Sequence, residues 1–227
     1  MIKVDVLHST SAVGTQILLT HGSEHLLVDV GDGTVRDLIS RKVSFEKIQA
    51  ILLTHEHFDH FSGLYGLLHF CRLLRRKEEL VLVGPRPVQV VRHFLTPPVM
   101  YETLPFEVRL IEVSEGENIS IGQLSVTAFA VEHASANALG YSIQDKKGYR
   151  VVISGDATIS TNLARNVEGA DFAVLEATYD DRDADLASRY GHMTKSQAKS
   201  LGRTAKKAVY VHSSPNHYVK KFVCTSR

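Results

Sequence analysis

The stretch "LLTHEHFDHFSG", residues 52–63, decides how the rest of the chain is read. His55, Glu56, His57, Asp59 and His60 fall within six consecutive positions, directly behind the apolar run "AILLT". After Gly63, the residues Leu64, Leu67, Leu68, Cys71 and Leu74 follow i, i+3, i+4, i+7 spacing, which predicts a helix. The cluster therefore lies where a strand ends and before a helix begins. In extended backbone, residues 55 and 57 project to the same side, so two imidazoles can hold one metal. Asp59 and His60 come as the chain bends and can reach a second metal beside it. Imidazole and carboxylate ligands together suit Zn²⁺, and also Mn²⁺ or Fe²⁺. Without a cation, such crowding of like charge on one strand end is unfavourable.

The same placement recurs downstream. His133 closes "SVTAFAVEH", Asp156 closes "YRVVISGD" and His212 closes "KKAVYVH". Each is a metal-ligand type at the end of an apolar run, where loops gather into a site. With His55, His57, Asp59 and His60 they make a seven-ligand, two-metal set.

Strands are predicted in "IKVDVLH", "GTQILLT", "EHLLVDV", "QAILLT", "ELVLVG" and "FEVRLIEV", and then in "QLSVTAFAVE", "ALGYSIQ", "YRVVIS", "FAVLEA" and "AVYVH". Further helices are predicted over "PVQVVRHFL" (87–95) and "TNLARNVEGA" (161–170). Another starts at Thr194-Lys195-Ser196-Gln197, which has the form of a capping box. Strands mixed with helices argue for sheets covered by helices, in one domain spanning residues 1–227. Lys and Arg total 26 against 25 Asp and Glu, so no global charge draws the chain to nucleic acid or anionic membrane. Cys71 and Cys224 are the only cysteines, which argues against a disulfide framework and fits a reducing compartment better. The N-terminus "MIKVDVLHST" lacks the apolar core of a signal peptide, so a cytoplasmic location without membrane insertion is expected. His8, His21, His25, His69, His93 and His217 read as structural or surface residues, and Cys71 as core.

On these residues the sequence resembles the metallo-β-lactamase superfamily, over nearly the whole chain. The resemblance implies an α/β fold, an αββα four-layer sandwich of two mixed β-sheets flanked by helices. It implies that His55, His57 and His133 hold one metal, that Asp59, His60 and His212 hold the other, and that Asp156 bridges them. Lactam-hydrolysing members carry Cys where this chain has Asp156, which argues against antibiotic hydrolysis. Flavodiiron oxidoreductases resemble His-x-Glu-x-Asp instead.

The stretch "AVLEATYDDRDADLASRYGHMTKSQA", residues 173–198, resembles ribonuclease Z, the tRNA 3′-processing endonuclease. In that family Glu-Ala-Thr is followed by Gly-His-Ser/Thr-Thr, matched here by Glu176-Ala177-Thr178 and Gly191-His192-Met193-Thr194. "LLVDVGDGT" (26–34) and "SGDAT" (154–158) share the likeness. The pattern implies His192 as the acid that protonates the leaving oxygen, oriented by Glu176; with Asp59 these form the expected catalytic set. A water shared by two divalent metals, deprotonated near neutral pH, would attack phosphorus. The chain departs from that family in three places. The 22 residues between His133 and Asp156 (134–155) leave no room for the exosite arm that grips tRNA. "LHSTSAVGTQ" lacks a Pro-x-x-x-Arg-Asn segment, and Met193 replaces Ser.

The sequence thus reads as a dinuclear metal-dependent phosphodiesterase, an RNA 3′-end endonuclease acting on precursor tRNA or other RNA. A small-substrate phosphodiesterase of the cyclic nucleotide type, another ester hydrolase of the fold, or a non-catalytic nucleic-acid-binding protein stay open as alternatives. Arg72, Arg75, Arg76, Lys195, Lys199, Lys220 and Lys221 could meet phosphate, Lys195 best because it lies beside His192 at a helix start. Arg72, Arg75, Arg76 and Lys77 lie off the apolar stripe of their helix and are expected to face solvent. The resemblance also implies a homodimer.

Overall fold

Alternating apolar positions in the first 28 residues fold into an antiparallel meander, β1 (Lys3–Thr10), β2 (Gly14–His21) and β3 (Glu24–Val28). The computed structural model describes residues 1–85, 104–134 and 137–214. The sheet then turns parallel through β4 (Ile48–Leu52), β5 (Leu80–Gly84) and β6 (Val108–Glu112), in the order β1-β2-β3-β4-β5-β6. Parallel neighbours need a crossover, and among the described residues two of these are helical. They are α1 (Thr34–Ser40), and the pair α2 (Phe58–Phe61) and α3 (Leu64–Leu73).

A second six-stranded sheet likewise joins an antiparallel meander to parallel strands. Its meander is β7 (Asn118–Ile121), β8 (Leu124–Ala130), β9 (Leu139–Asp145) and β10 (Arg150–Ile153). β11 (Phe172–Glu176) and β12 (Ala208–Val211) then add in parallel. The helices α4 (Thr161–Val167), α5 (Ala184–Arg189) and α6 (Lys195–Gly202) complete this half.

Period-two alternation sorts the buried side chains into layers. Leu26 and Val28 of β3 face Tyr141, Ile143 and Val151 of the other sheet, while Leu27 between them packs outward with Leu38, Leu64 and Leu67 of the helices. On the far side, Val152, Ala173 and Leu175 meet Leu163, Val167, Ala198 and Leu201. Each fully buried aliphatic side chain contributes roughly 1.5–3 kcal/mol. The expected αββα sandwich of two mixed sheets is the fold found.

Every strand read from the sequence is present, and so are the helices at 64, 161 and 195, the last with both bonds of its capping box. The helix expected over 87–95 lies outside the described residues, as do His93, His217, Lys220, Lys221 and Cys224. Arg76 corrects the reading that it faces solvent. It is buried, and its guanidinium donates to the carbonyls of Phe45, Ile48, Glu78 and Glu79 at 2.7–2.8 Å. The cause is a left-handed residue, Arg75 at φ +58°, where α3 ends. Arg75 N–H donates to Arg72 O and Arg76 N–H to Cys71 O, the paired bonds of a Schellman cap that turns the chain back under the helix. Leu74, counted in the apolar stripe, is instead exposed just past the last turn.

Candidate metal centre

The chemistry gathers at the carboxyl ends of the strands, where loops of an α/β sheet converge. β3 delivers Asp29, β4 delivers Thr54 to His60, β8 delivers His133, β10 delivers Asp156, β11 delivers Glu176 and Thr178, and β12 delivers His212. His57 keeps extended backbone (φ −68°, ψ 142°) before α2 begins at Phe58, so His55 and His57 project together and Asp59 and His60 follow round the helical turn. Val30 N–H donates to His60 O and Gly63 N–H to Val30 O, which clamps this loop to the end of β3. Two non-glycine residues here, Asp29 and His212, hold left-handed backbone at φ +58° and +59°. Such conformations cost energy and persist where the surroundings over-determine them.

Seven side chains converge in two groups. His55, His57, His133 and Asp156 bring one ligand atom each within 4.8 Å of one another, and so do Asp59, His60 and His212. Asp156 Oδ2 joins them, lying 3.9 Å from His55 Nε2, 3.4 Å from His60 Nε2 and 3.3 Å from His212 Nε2. His57 Nδ1 lies 3.1 Å from His133 Nε2, and Asp59 Oδ2 lies 3.3 Å from His212 Nε2. Donors bonded to one cation at about 2.0–2.1 Å in a tetrahedron stand about 3.3–3.4 Å apart, close to the 3.1–3.4 Å separations here, while His55 stands wider at 3.9 Å. The buried Nε2 atoms of His55 and His60 have no hydrogen-bond partner. Buried nitrogens aimed at a carboxylate oxygen and at each other are what a divalent cation satisfies. The residues fit a divalent metal pair.

Electrostatics agree. Burial holds His55 well below the ordinary imidazole value, with His60 adding to it, which keeps the neutral, metal-binding form. Burial likewise pushes His133 down to about 4, against the opposing bond to Gly191. His60 is buried too, yet the Asp156 and Asp29 carboxylates raise it well above its usual value, so positive charge is favoured at that spot. Burial opposes ionisation of Asp59, but the bond to His212 and the charge of His60 bring it to about 2.

Hydrogen bonds behind these candidate ligands fix their orientation. His60 Nδ1 contacts Asp29 Oδ2 at 2.7 Å, His133 Nδ1 donates to Gly191 O at 2.8 Å, and Ala12 N–H donates to Asp59 Oδ2 at 2.8 Å. Gly191 must be glycine for that contact. Its φ is +70°, and a Cβ there would stand 2.7 Å from Ala134 N and 2.8 Å from His133 Cα.

Beside the shared oxygen, His192 Nδ1 lies 3.0 Å from Glu176 Oε1 and 3.9 Å from Asp156 Oδ2. Glu176 is fully buried and accepts from Ala157, Met193 and Thr178 N–H as well as the Thr178 hydroxyl. Burial alone would lower the His192 pKa, but the Glu176 bond and charge, with Asp156, raise it. Met193 serves here through its N–H while its side chain fills the core, so this departure from the family pattern leaves the site intact. Lys195, read as the best phosphate contact, is ion-paired with Asp180 at 2.5 Å.

All nine expected site residues are brought together. Asp29, Thr54 and Thr178, which also line the cluster, were not singled out. They stand in "LLVDVGDGT", directly before His55 and in Glu-Ala-Thr, but the contacts that bring them to the cluster span 25 positions from Asp29 to Thr54 and 34 from Thr178 to His212.

The chain belongs to the beta-lactamase superfamily, whose domain description matches residues 25–213. Within it, the chain is 26% identical to ribonuclease Z of Bradyrhizobium sp. (strain ORS 278), covering 82% of this chain and 78% of that protein. It is 28% identical to ribonuclease Z of Lachnospira eligens, covering 89% and 82%. The crystal structure of human tRNase Z, short form (ELAC1), superposes with a TM-score of 0.83 at 26% identity, over 96% of this chain and 94% of that one. Among the described residues no helix is long and apolar enough to cross a membrane.

Proposed function

We propose that the protein is a dinuclear metal-dependent phosphodiesterase that cuts RNA at the 3′ side of its mature end, as a ribonuclease Z-like endonuclease. One observation carries the reading. A single carboxylate oxygen, Asp156 Oδ2, stands between two histidine-rich donor groups with a carboxylate-held histidine, His192, beside it. His55, His57 and His133 would hold one ion, Asp59, His60 and His212 the other, and Asp156 both; this N- and O-donor set suits zinc. Bound there, the cations would act as Lewis acids on the phosphoryl oxygens and acidify the attacking water. His192, doubly protonated and fixed through Nδ1 by Glu176, presents its other N–H to the departing ribose oxygen. Asp59 holds its orientation through the Ala12 N–H. The proposed partners are RNA and a second copy of the chain.

A second reading, a small-substrate phosphodiesterase, is favoured by one feature. Residues 137–155 are taken up by β9, β10 and a short turn, with no arm among the described residues between His133 and Asp156. Incubating the zinc-loaded protein with a precursor tRNA bearing a 3′ trailer separates the two. A single chelator-sensitive cut at the base of the acceptor stem supports the endonuclease. No cut, with bis-p-nitrophenyl phosphate still hydrolysed, supports the second reading.

A further inference from the structure

Two buried threonines stand behind the ligands in matching positions, one in each half of the sandwich. Thr54 lies two residues beyond β4, and Thr178 two residues beyond β11. Each N–H and each hydroxyl contacts one buried carboxylate. Thr54 reaches Asp29 at 2.8 Å through both, and Thr178 reaches Glu176 Oε2 at 3.0 and 2.9 Å. Each hydroxyl oxygen also touches a candidate ligand imidazole, Thr54 at 3.0 Å from His55 Nδ1 and Thr178 at 2.9 Å from His212 Nδ1. The longer contacts, Thr54 to His60 Nδ1 at 3.4 Å and Thr178 to His192 Nδ1 at 3.3 Å, meet nitrogens already bonded to Asp29 and Glu176.

A hydroxyl has one proton, and an ionised carboxylate can only accept. The threonine proton therefore goes to Asp29 or Glu176, leaving only lone pairs facing the imidazole. Nδ1 must then carry the ring proton, and Nε2 is left as the electron-pair donor. Those Nε2 atoms are the ones aimed at Asp156, 3.9 Å away for His55 and 3.3 Å for His212. His60 and His133 need no such intermediary, since Nδ1 meets Asp29 or the Gly191 carbonyl directly.

We propose that Thr54 and Thr178 are positioning residues of the metal centre, each hydroxyl fixing the tautomer of one ligand, His55 in one donor group and His212 in the other. The inference rests on the metal-pair reading. It extends that reading by giving each half of the sandwich its own carboxylate–threonine–histidine relay, built on Asp29 and on Glu176. Glu176 thereby orients a ligand, His212, as well as the acid His192. Loss of either hydroxyl should weaken one metal ion and spare the other.

The test binds Zn²⁺ alone to the full chain, with two steps resolved by chelator competition and no turnover measured. The wild-type protein must first take up two ions per chain; fewer would remove the metal-pair reading itself. Thr178→Val should then weaken one step roughly 10- to 100-fold, the usual loss for a residue that orients a metal ligand, and Thr54→Val should weaken the other. Thr178→Ser and Thr54→Ser keep a hydroxyl and should restore wild-type binding. In ¹⁵N-histidine spectra of the zinc form, each Val variant should shift the Nδ1–H signal of a different histidine. If the Val variants bind both ions as wild type does, or the Ser variants lose as much as the Val variants, the tautomer role is wrong. Unfolding of the metal-free variants is followed alongside. A Val variant that fails to fold while its Ser counterpart folds and loses one zinc step also counts against the proposal.

Discussion

Replacing His192 with Ala tests the proposed acid in a way that separates it from a merely structural histidine. The side chain is only slightly exposed, and its Nδ1 bond to Glu176 leaves the other ring nitrogen as the one that could donate to a leaving group. Glu176 Oε1 keeps its Ala157 and Met193 N–H donors when the ring is removed, so the carboxylate stays partnered and the fold should survive. A general acid contributes about 10²- to 10⁴-fold to departure of a poor leaving group. At about 1.4 kcal/mol per tenfold, that is roughly 3–5 kcal/mol of transition-state stabilisation. Hydrolysis of an RNA phosphodiester should therefore fall by that factor in kcat. Hydrolysis of bis-p-nitrophenyl phosphate, whose leaving group departs as an anion, should fall by less than about tenfold. pH adds a second readout. Glu176 raises the His192 pKa, so the acid form persists to higher pH than an ordinary histidine would, and RNA cleavage declines as pH rises through that value. Glu176→Gln removes the charge that raises it, so the declining limb should move to lower pH. Equal losses on both substrates, or a limb that does not move, would refute the acid role.

Other substitutions report on the frame. Gly191→Ala places a Cβ against the His133 backbone at positive φ and should cost about 1–3 kcal/mol, read as a lower melting temperature with weakened metal binding. Arg76→Met strands four carbonyls and should cost about 3 kcal/mol or more, or roughly 6–12 °C in a chain of this size, while KM for RNA stays unchanged. Removing metal with a chelator should lower the melting temperature, because an ion at 100 times its Kd stabilises the folded state by about 2.7 kcal/mol per site. A melting curve indifferent to chelator would count against a resident metal.

The strands were legible because nearly every one is an apolar run with both faces covered, as in "AILLT" and "FAVLE". β7 escaped notice because it has four residues with Ile121 alone fully buried, so its polar alternation looks like a loop. α1 escaped because it has seven residues and starts at Gly33, with no side-chain cap to announce it. The candidate metal ligands stood out because histidine and aspartate at strand ends are conspicuous one at a time. Thr54 and Thr178 were not, since the role proposed for them needs partners that the fold supplies: Asp29, 25 positions before Thr54, and His212, 34 positions after Thr178. Arg76 misled for the same reason. Its burial depends on a Schellman cap formed without the customary glycine.

The dinuclear centre is the claim on which the rest depends, and anomalous diffraction from crystals grown with zinc tests it directly. Two peaks about 3.5–4 Å apart, with Asp156 Oδ2 bonded to both, are predicted. One peak only, or two that leave Asp156 outside their coordination, would contradict the account.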